Sequence, residues 1–330
     1  MIHEFSSNRY EGMHYRRCGR SGLKLPAISL GAWETFGGYR DAVVAKECLF
    51  RAFDLGITHF DLANNYGTPP GNAETVCGEI VKEMPRDELI ISSKAGYFMW
   101  PGPYGEWGSK KYIVASCNQS LKRMGLEYFD IFYSHRFDPD TPLEETMEAL
   151  NLLVQQGKAL YIGISSYSGA ATNESVGIMK EKGYSPITIH QPFYNMFGRG
   201  IEKDLVPVAG RQGIGIIPFC PLASGLLTDK YLRGDIPAHS RAAERWGEEW
   251  VRKNLNPERM SALATLNGMA HDREQTLAQM ALAWTLRLPE ITSALIGASS
   301  VTQIEENVAA LKNLYFSEAE LKRIDELVPA

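Results

Sequence analysis

The sequence contains no apolar run approaching the roughly 18 residues that a membrane helix needs. Its first residues (1–19) are polar and lack the apolar stretch of a secretory signal, so the expectation is a cytoplasmic protein with no membrane partner. Positive charge is not in excess: the net charge of −5 argues against nucleic acid as the main partner, although a local basic pocket remains compatible with it. Cysteine is sparse, at five residues. Cys18, Cys48, Cys77, Cys117 and Cys220 stand singly in apolar stretches, and their odd number argues against a disulfide framework. With neither C-x-x-C nor Cys/His ligand spacing, no metal site is expected. A dinucleotide-binding G-x-G-x-x-G loop is missing after the first strand pattern, where Leu30-Gly31-Ala32-Trp33 stands instead. Linkers, low-complexity runs and charge blocks are absent too.

What is present is an alternation of short β-branched runs with longer helical patterns. Strands are expected over residues 26–30, 57–61, 88–92, 129–134, 159–164, 187–190, 215–219 and 293–296. Helices are expected near 41–55, 72–84, 109–124, 143–156, 168–182, 201–212, 274–287 and 301–311. Thr141-Pro142 opens one of them, with Glu144 and Glu145 in the first turn where the dipole favours carboxylates. Gly56, Gly125, Gly157 and Gly183 follow helical patterns in the position that tolerates left-handed geometry. Strands joined by helices form parallel crossovers, and strands that are apolar almost throughout belong to a sheet covered on both sides. Eight such units predict an α/β fold, a (β/α)8 TIM barrel, as one domain over residues 1–330. Two segments exceed that plan. Residues 228–273 form an insertion ending in an expected helix at 257–271. Residues 317–327 form a terminal helix with a Ser317/Glu320 capping box.

In such a barrel, function sits at the C-terminal ends of the strands. Asp61 and Tyr66 follow the second strand pattern, Lys94 the third and His135 the fourth. Each alone reads as a turn former, a packing residue or a solvated charge. At three successive strand ends they converge. Reducing a carbonyl needs a hydride and a proton for the developing alkoxide. A free phenol, with a pKa near 10, is a weak acid for that task, and a neighbouring ammonium favours its ionisation. Lys94 is therefore expected to acidify Tyr66, Asp61 to hold Lys94 charged, and His135 to polarise the carbonyl with a neutral N–H. A Schiff-base lyase using Lys94 is the competing chemistry.

The Asp61-x4-Tyr66…Lys94…His135 set on eight strands resembles the aldo-keto reductase superfamily, and further motifs extend that resemblance over nearly the whole chain. It implies bound NADP(H). Trp33 and Asp61 would contact the cofactor, and Ser165, Ser166 and Gln191 would lie at the nicotinamide, with Phe219 stacking where Tyr or Trp is more usual. Cys220, Leu222, Ala223, Ser224, Gly225 and Lys230 would wrap the pyrophosphate. Ser299, Gln303, Glu306 and Asn307 would hold the adenosine, and Arg241, with Ser299 and Gln303, a 2′-phosphate. Within the superfamily, Trp33-Glu-Thr-Phe-Gly-Gly38 and the spacing of 220–241 are similar to the branch of potassium-channel β subunits and bacterial L-glyceraldehyde 3-phosphate reductases. The channel subunits typically carry Asn where this chain has His135. The better match therefore implies reduction of L-glyceraldehyde 3-phosphate, with methylglyoxal as a secondary substrate and Met99–Gly105 as a substrate-side loop. Arg136 and Arg199 are candidate contacts for a substrate phosphate. The resemblance also implies a homo-oligomer, a tetramer or octamer. A nicotinamide-binding auxiliary subunit is the alternative function.

Overall fold

The computed structural model describes residues 3–33, 35–38, 41–232, 236, 243 and 247–329. An antiparallel hairpin, β1 (Tyr15–Arg17) and β2 (Lys24–Pro26), leads into the strand–helix repeats. These run β3 (Ile28–Gly31), α1 (Ala42–Asp54), β4 (His59–Asp61), α2 (Asn72–Val81), β5 (Ile90–Ala95), α3 (Lys110–Met124), β6 (Phe129–Ser134) and α4 (Leu143–Gln155). They continue β7 (Ala159–Ser165), α5 (Gly169–Lys182), β8 (Ile187–Gln191), α6 (Leu205–Gln212) and β9 (Gly215–Ile216). After β9 come α7 (Gly247–Asn254), α8 (Pro257–Asp272), α9 (Leu277–Thr285), β10 (Ala294–Gly297), α10 (Val301–Val308) and α11 (Glu318–Leu327).

Strands β3 to β10 form one parallel sheet in the order β10-β3-β4-β5-β6-β7-β8-β9. Backbone bonds join its two ends. Thr292 N–H donates to Ile216 O at 2.7 Å and Leu295 N–H to Pro218 O at 3.1 Å. The sheet thus curls into the expected (β/α)8 barrel, with α7, α8 and α11 outside the eightfold plan. All eight expected strands are present with shifted ends. The seventh is shorter than expected, because Pro218 has no N–H to give the ladder; pairing resumes as a bridge between Phe219 and Phe193. Helix α6 begins at Leu205 rather than 201, which places Pro207 in the first turn, where its missing N–H has no intrahelical partner to lose. Gly125 and Gly183 end their helices at φ 65° and 66°, and Ser317 with Glu320 forms the expected capping box.

The N-terminal hairpin was not expected from the sequence, although Gly19 and Gly22 bracket its turn. It closes one end of the barrel. Leu23 and Leu25 pack with Ile131, Tyr133, Ile189, Ile217 and Leu295, which fill the interior on one side. The opposite side, on β3, β4 and β5, is polar inside, where these strands depart from the expectation that most are apolar almost throughout: Ser29, His59, Asp61, Ser92 and Lys94 are all buried. Strand pleating sets this, since His59/Asp61 and Ser92/Lys94 are each two residues apart and share a face. Ser93, between them, points outward and donates to Glu74 of α2 at 2.5 Å.

On β7 the interior leaves no room for a side chain at Gly163. A Cβ there would meet the Tyr133 ring at 2.4 Å and Ile189 Cγ2 at 2.8 Å. Gly163→Ala is expected to destabilise the fold by about 1–3 kcal/mol through overpacking. Gly177→Ala, on the exposed face of α5 with nothing within 4 Å, should instead stabilise it by about 0.5–1 kcal/mol. Chemical-denaturation midpoints of the two variants should move in opposite directions.

Candidate active site

Asp61 closes β4, Lys94 lies near the end of β5, and His135 follows β6 directly. Tyr66 is in the loop after β4. That loop folds tightly because Tyr66 O accepts from both Gly71 N–H (3.0 Å) and Ala73 N–H (3.1 Å). Gly67 holds φ 89° where a Cβ would collide with the Ala73 nitrogen at 2.5 Å. The turn directs the phenol over the strand ends, so the structure brings all four residues together as expected. The Lys94 ammonium donates to Asp61 Oδ2 at 2.5 Å, to Leu62 O at 2.6 Å and to Tyr66 Oη at 3.3 Å. An ammonium only donates, so the Tyr66 oxygen accepts here and its own proton is left to turn toward the cleft. The His135 ring stands edge-on to Tyr66, with centroids 5.8 Å apart.

Electrostatics correct one expectation. Tyr66 is buried, and its pKa is pushed well above the ordinary tyrosine value, first by desolvation and then by the Asp61 charge. The Lys94 ammonium, which makes its shorter bonds to Asp61 and to a carbonyl, does not offset those two causes. Burial also pulls the Lys94 pKa below the ordinary lysine value, opposed by the attraction of Asp61. The His135 pKa falls well below its usual value through burial and the positive charges of Lys94 and Arg136. The ring is therefore neutral at neutral pH, as expected.

Asp61, Tyr66 and His135 form the floor of a cleft of about 840 Å³. Its lining includes Trp33, Asp61, Tyr66, His135, Ser165, Ser166, Gln191, Phe219, Cys220, Leu222, Ser224, Gly225, Lys230, Ser299, Gln303, Glu306 and Asn307. Two expected residues differ. The Ala223 side chain is buried beneath the loop rather than facing the cleft, and Arg241 lies outside the described residues. Lys94 sits beneath the floor, touching the cleft only through its partners. Asn65 and Tyr97 also line the cleft and were missed in the sequence. Asn65 is adjacent to Tyr66, and its Oδ1 is buried without a hydrogen-bond partner, an acceptor suited to a donor from a ligand. At the far end, Gln303, Glu306 and Asn307 share one face of α10 at i, i+3 and i+4 spacing. Four of the six described non-glycine residues with positive φ (Ser166, Cys220, Ala223 and Ser224) lie on the two loops bordering the cleft. Strain gathered there indicates a backbone shaped for a ligand rather than for stability.

Residues 27–329 match the sequence model of the Aldo/keto reductase family. The chain belongs to that family. It is 54% identical to the L-glyceraldehyde 3-phosphate reductase of Escherichia coli K12, over 99% of this chain and 95% of that protein. It is 37% identical to a probable voltage-gated potassium channel subunit beta of Arabidopsis thaliana, over 91% of both chains. A putative channel subunit beta of Schizosaccharomyces pombe is 39% identical, over 95% of this chain and 93% of its own length. This aldo-keto reductase is thus an oxidoreductase with relatives of both kinds.

Of the two arginines considered for a substrate phosphate, Arg199 is committed elsewhere. It donates to Glu202, to Asp325 and to Val328 O, and it does not line the cleft. Arg136 is ion-paired with Glu106 at 2.8 Å, donates to Gly96 O and lies 3.4 Å above the Trp107 ring. It clasps the 96–108 loop beside the cleft.

The buried ion pair generates a stability prediction. Lys94→Met strands the Asp61 carboxylate and should cost about 3–5 kcal/mol, whereas Asp61→Leu with Lys94→Met should recover most of that loss. Urea midpoints for the two variants decide it; a double variant no more stable than the single one would contradict the pairing.

Proposed function

We propose that this aldo-keto reductase uses NADPH to reduce short aldehydes, with L-glyceraldehyde 3-phosphate going to sn-glycerol 3-phosphate and methylglyoxal as a second substrate. The observation that carries the reading is the Lys94 ammonium bridging Asp61 and Tyr66 at the floor of the cleft that Ser299, Gln303 and Asn307 also line. The near-full-length identity to a reductase of that name supports the substrate. A homo-oligomer acting in the cytoplasm is part of the same proposal.

The cleft residues fit the cofactor. Ser165 Oγ donates its proton to Gln191 O at 2.8 Å, so toward a ligand it can only accept, as a carboxamide NH2 requires. Phe219 offers a ring face, and Leu222, Ser224, Gly225 and Lys230 flank the stretch between the two ends of the cleft. Ser299 and Gln303 stand at the start of α10, where a helix N-terminus favours phosphate, and Glu306 and Asn307 continue the cleft wall along the same helix. When bound, the cofactor supplies a hydride to the carbonyl carbon. The chain's residues handle the oxygen. His135, neutral, donates an N–H to it, and Tyr66 gives up its proton as negative charge develops. An alkoxide is a stronger base than a phenolate, so a phenol held above the usual tyrosine value still transfers its proton. Lys94 then faces the phenolate, held in place by Asp61. A substrate phosphate would reach Arg136 by replacing Glu106 as its partner.

Protein, NADPH and L-glyceraldehyde 3-phosphate should consume the nicotinamide absorbance; no turnover with this or any short aldehyde would overturn the proposal. NADPH should bind more tightly than NADH in a fluorescence titration. Tyr66→Phe should lower kcat about 10²–10⁴-fold with cofactor affinity retained. Carbonyl reduction left intact in that variant would instead favour the auxiliary-subunit reading. The pH dependence follows from the shifts: Tyr66 stays protonated and His135 neutral across neutral pH. The kcat/KM for reduction should therefore be level there, falling only above the ordinary tyrosine value of about 10. A limb centred on the ordinary histidine value of 6.5 would contradict the neutral His135.

A further inference from the structure

Beneath the Asp61–Lys94 pair the barrel holds a second polar layer that the carbonyl chemistry does not use. It consists of Ser29 on β3, His59 on β4, Ser92 on β5 and Ser293 just before β10, each with zero exposure. Ser293 Oγ lies 2.6 Å from Ser29 Oγ, which lies 2.9 Å from His59 Nδ1. His59 Nε2 lies 2.9 Å from Ser92 Oγ, which lies 2.7 Å from Asp61 Oδ1.

Counting protons fixes the direction of this chain. A carboxylate only accepts, so Ser92 donates to Asp61. With its one proton committed, Ser92 meets His59 with a lone pair, and the imidazole must carry its proton on Nε2. The ring is neutral: burial lowers its pKa to about 4, and of the two charges facing it Asp61 raises and Lys94 lowers the value. Nδ1 is then bare and accepts from Ser29, which in turn accepts from Ser293. Every donor in the series points toward Asp61.

The two oxygens of Asp61 have different tasks at the cleft. Oδ2 holds Lys94, while Oδ1 takes Ser92 and, at 3.2 Å, Gln191 Nε2. We propose that His59 is a positioning residue for the proton donor, acting through Ser92 to fix the Asp61 carboxylate and hence the Lys94 ammonium under Tyr66. The proposal rests on the reductase reading and adds a residue to it. Losing the Ser92 donor leaves Oδ1 with only the longer bond from Gln191, which loosens the carboxylate and with it the ammonium it orients.

Two measurements test it. In steady-state kinetics, Ser92→Ala and His59→Phe should lower kcat about 10–100-fold, as loss of an orienting partner does, with aldehyde KM and NADPH affinity little changed. Ser92→Thr and His59→Gln keep a donor at each point and should restore most of kcat. If His59→Phe does not fold, Ser92→Ala and its rescue by Thr carry the test. Unchanged kcat in Ser92→Ala, or equal losses in the conservative variants, overturns the proposal. Separately, nitrogen-15 NMR of the imidazoles should show His59 at neutral pH with its proton on Nε2. In Asp61→Asn the amide should turn its carbonyl to Lys94 and its NH2 to Ser92, with the Gln191 amide turning its own oxygen toward that NH2. Ser92 would then donate to His59 Nε2, moving the imidazole proton to Nδ1. An Nδ1–H tautomer or an imidazolium in the parent protein, or no inversion in Asp61→Asn, overturns the coupling. The NMR result does not depend on turnover, so failure of the reductase reading and failure of this one are separable.

Discussion

The Asp61–Lys94 ion pair is the constraint on which the barrel's open end depends. Both side chains are almost wholly shut from water, at 1% and 0% exposure, where an unpaired charge is very costly. Such a pair persists only if its remaining hydrogen-bonding capacity is met, and here it is. The three donors of the ammonium go to Asp61, Leu62 O and Tyr66, and the second carboxylate oxygen takes Ser92 and Gln191. Those partners come from several places in the chain. The pair therefore fixes β4, β5, β8 and the loop after β4 relative to one another.

Satisfying that pair divides the barrel interior into two halves. On the β3–β5 side the pleat stacks polar residues in two layers. On the other side Ile131, Tyr133, Ile189, Ile217 and Leu295 make an apolar core that the N-terminal hairpin seals. The apolar half and the sealed barrel end keep the polar half buried away from bulk solvent. Desolvation is accordingly the largest cause of the shifts at Tyr66, Lys94, His135 and His59. Neighbouring charges only adjust what burial has set.

Much of this was legible in the sequence because period and spacing are local properties. Eight β-branched runs separated by helical patterns were enough for the barrel, and strand ends were enough to gather Asp61, Tyr66, Lys94 and His135. The polar layer was not read, although His59-Phe60-Asp61 and Ser92-Ser93-Lys94 carry it at a period of two. A buried serine and a solvated one look alike without the register that pairs Asp61 with Ser92. The hairpin was missed because its strands are three residues each, too short for a periodic signal. Arg199 was misjudged for a different reason: of its two carboxylate partners Glu202 is three residues on, but Asp325 lies 126 residues away, and only the fold shows that both are engaged. The acidity of Tyr66 was misread because placing a lysine at the next strand end says nothing of how many other acceptors compete for it.

The acidity of Tyr66 also bears on the direction of the proposed chemistry. A phenol acidified by its lysine would be partly ionised before any substrate arrived, and would serve alcohol oxidation as readily as reduction. A phenol whose proton is held by burial and by the Asp61 charge stays loaded at neutral pH, and gives the proton up only to a base as strong as a forming alkoxide. His135, kept neutral by the same burial, is matched to that state, since an imidazolium beside Tyr66 would favour the phenolate. In the proposed chemistry a protonated donor and a neutral polariser are the states from which reduction starts, and both trace back to the buried, charge-balanced floor that Asp61 and Lys94 create.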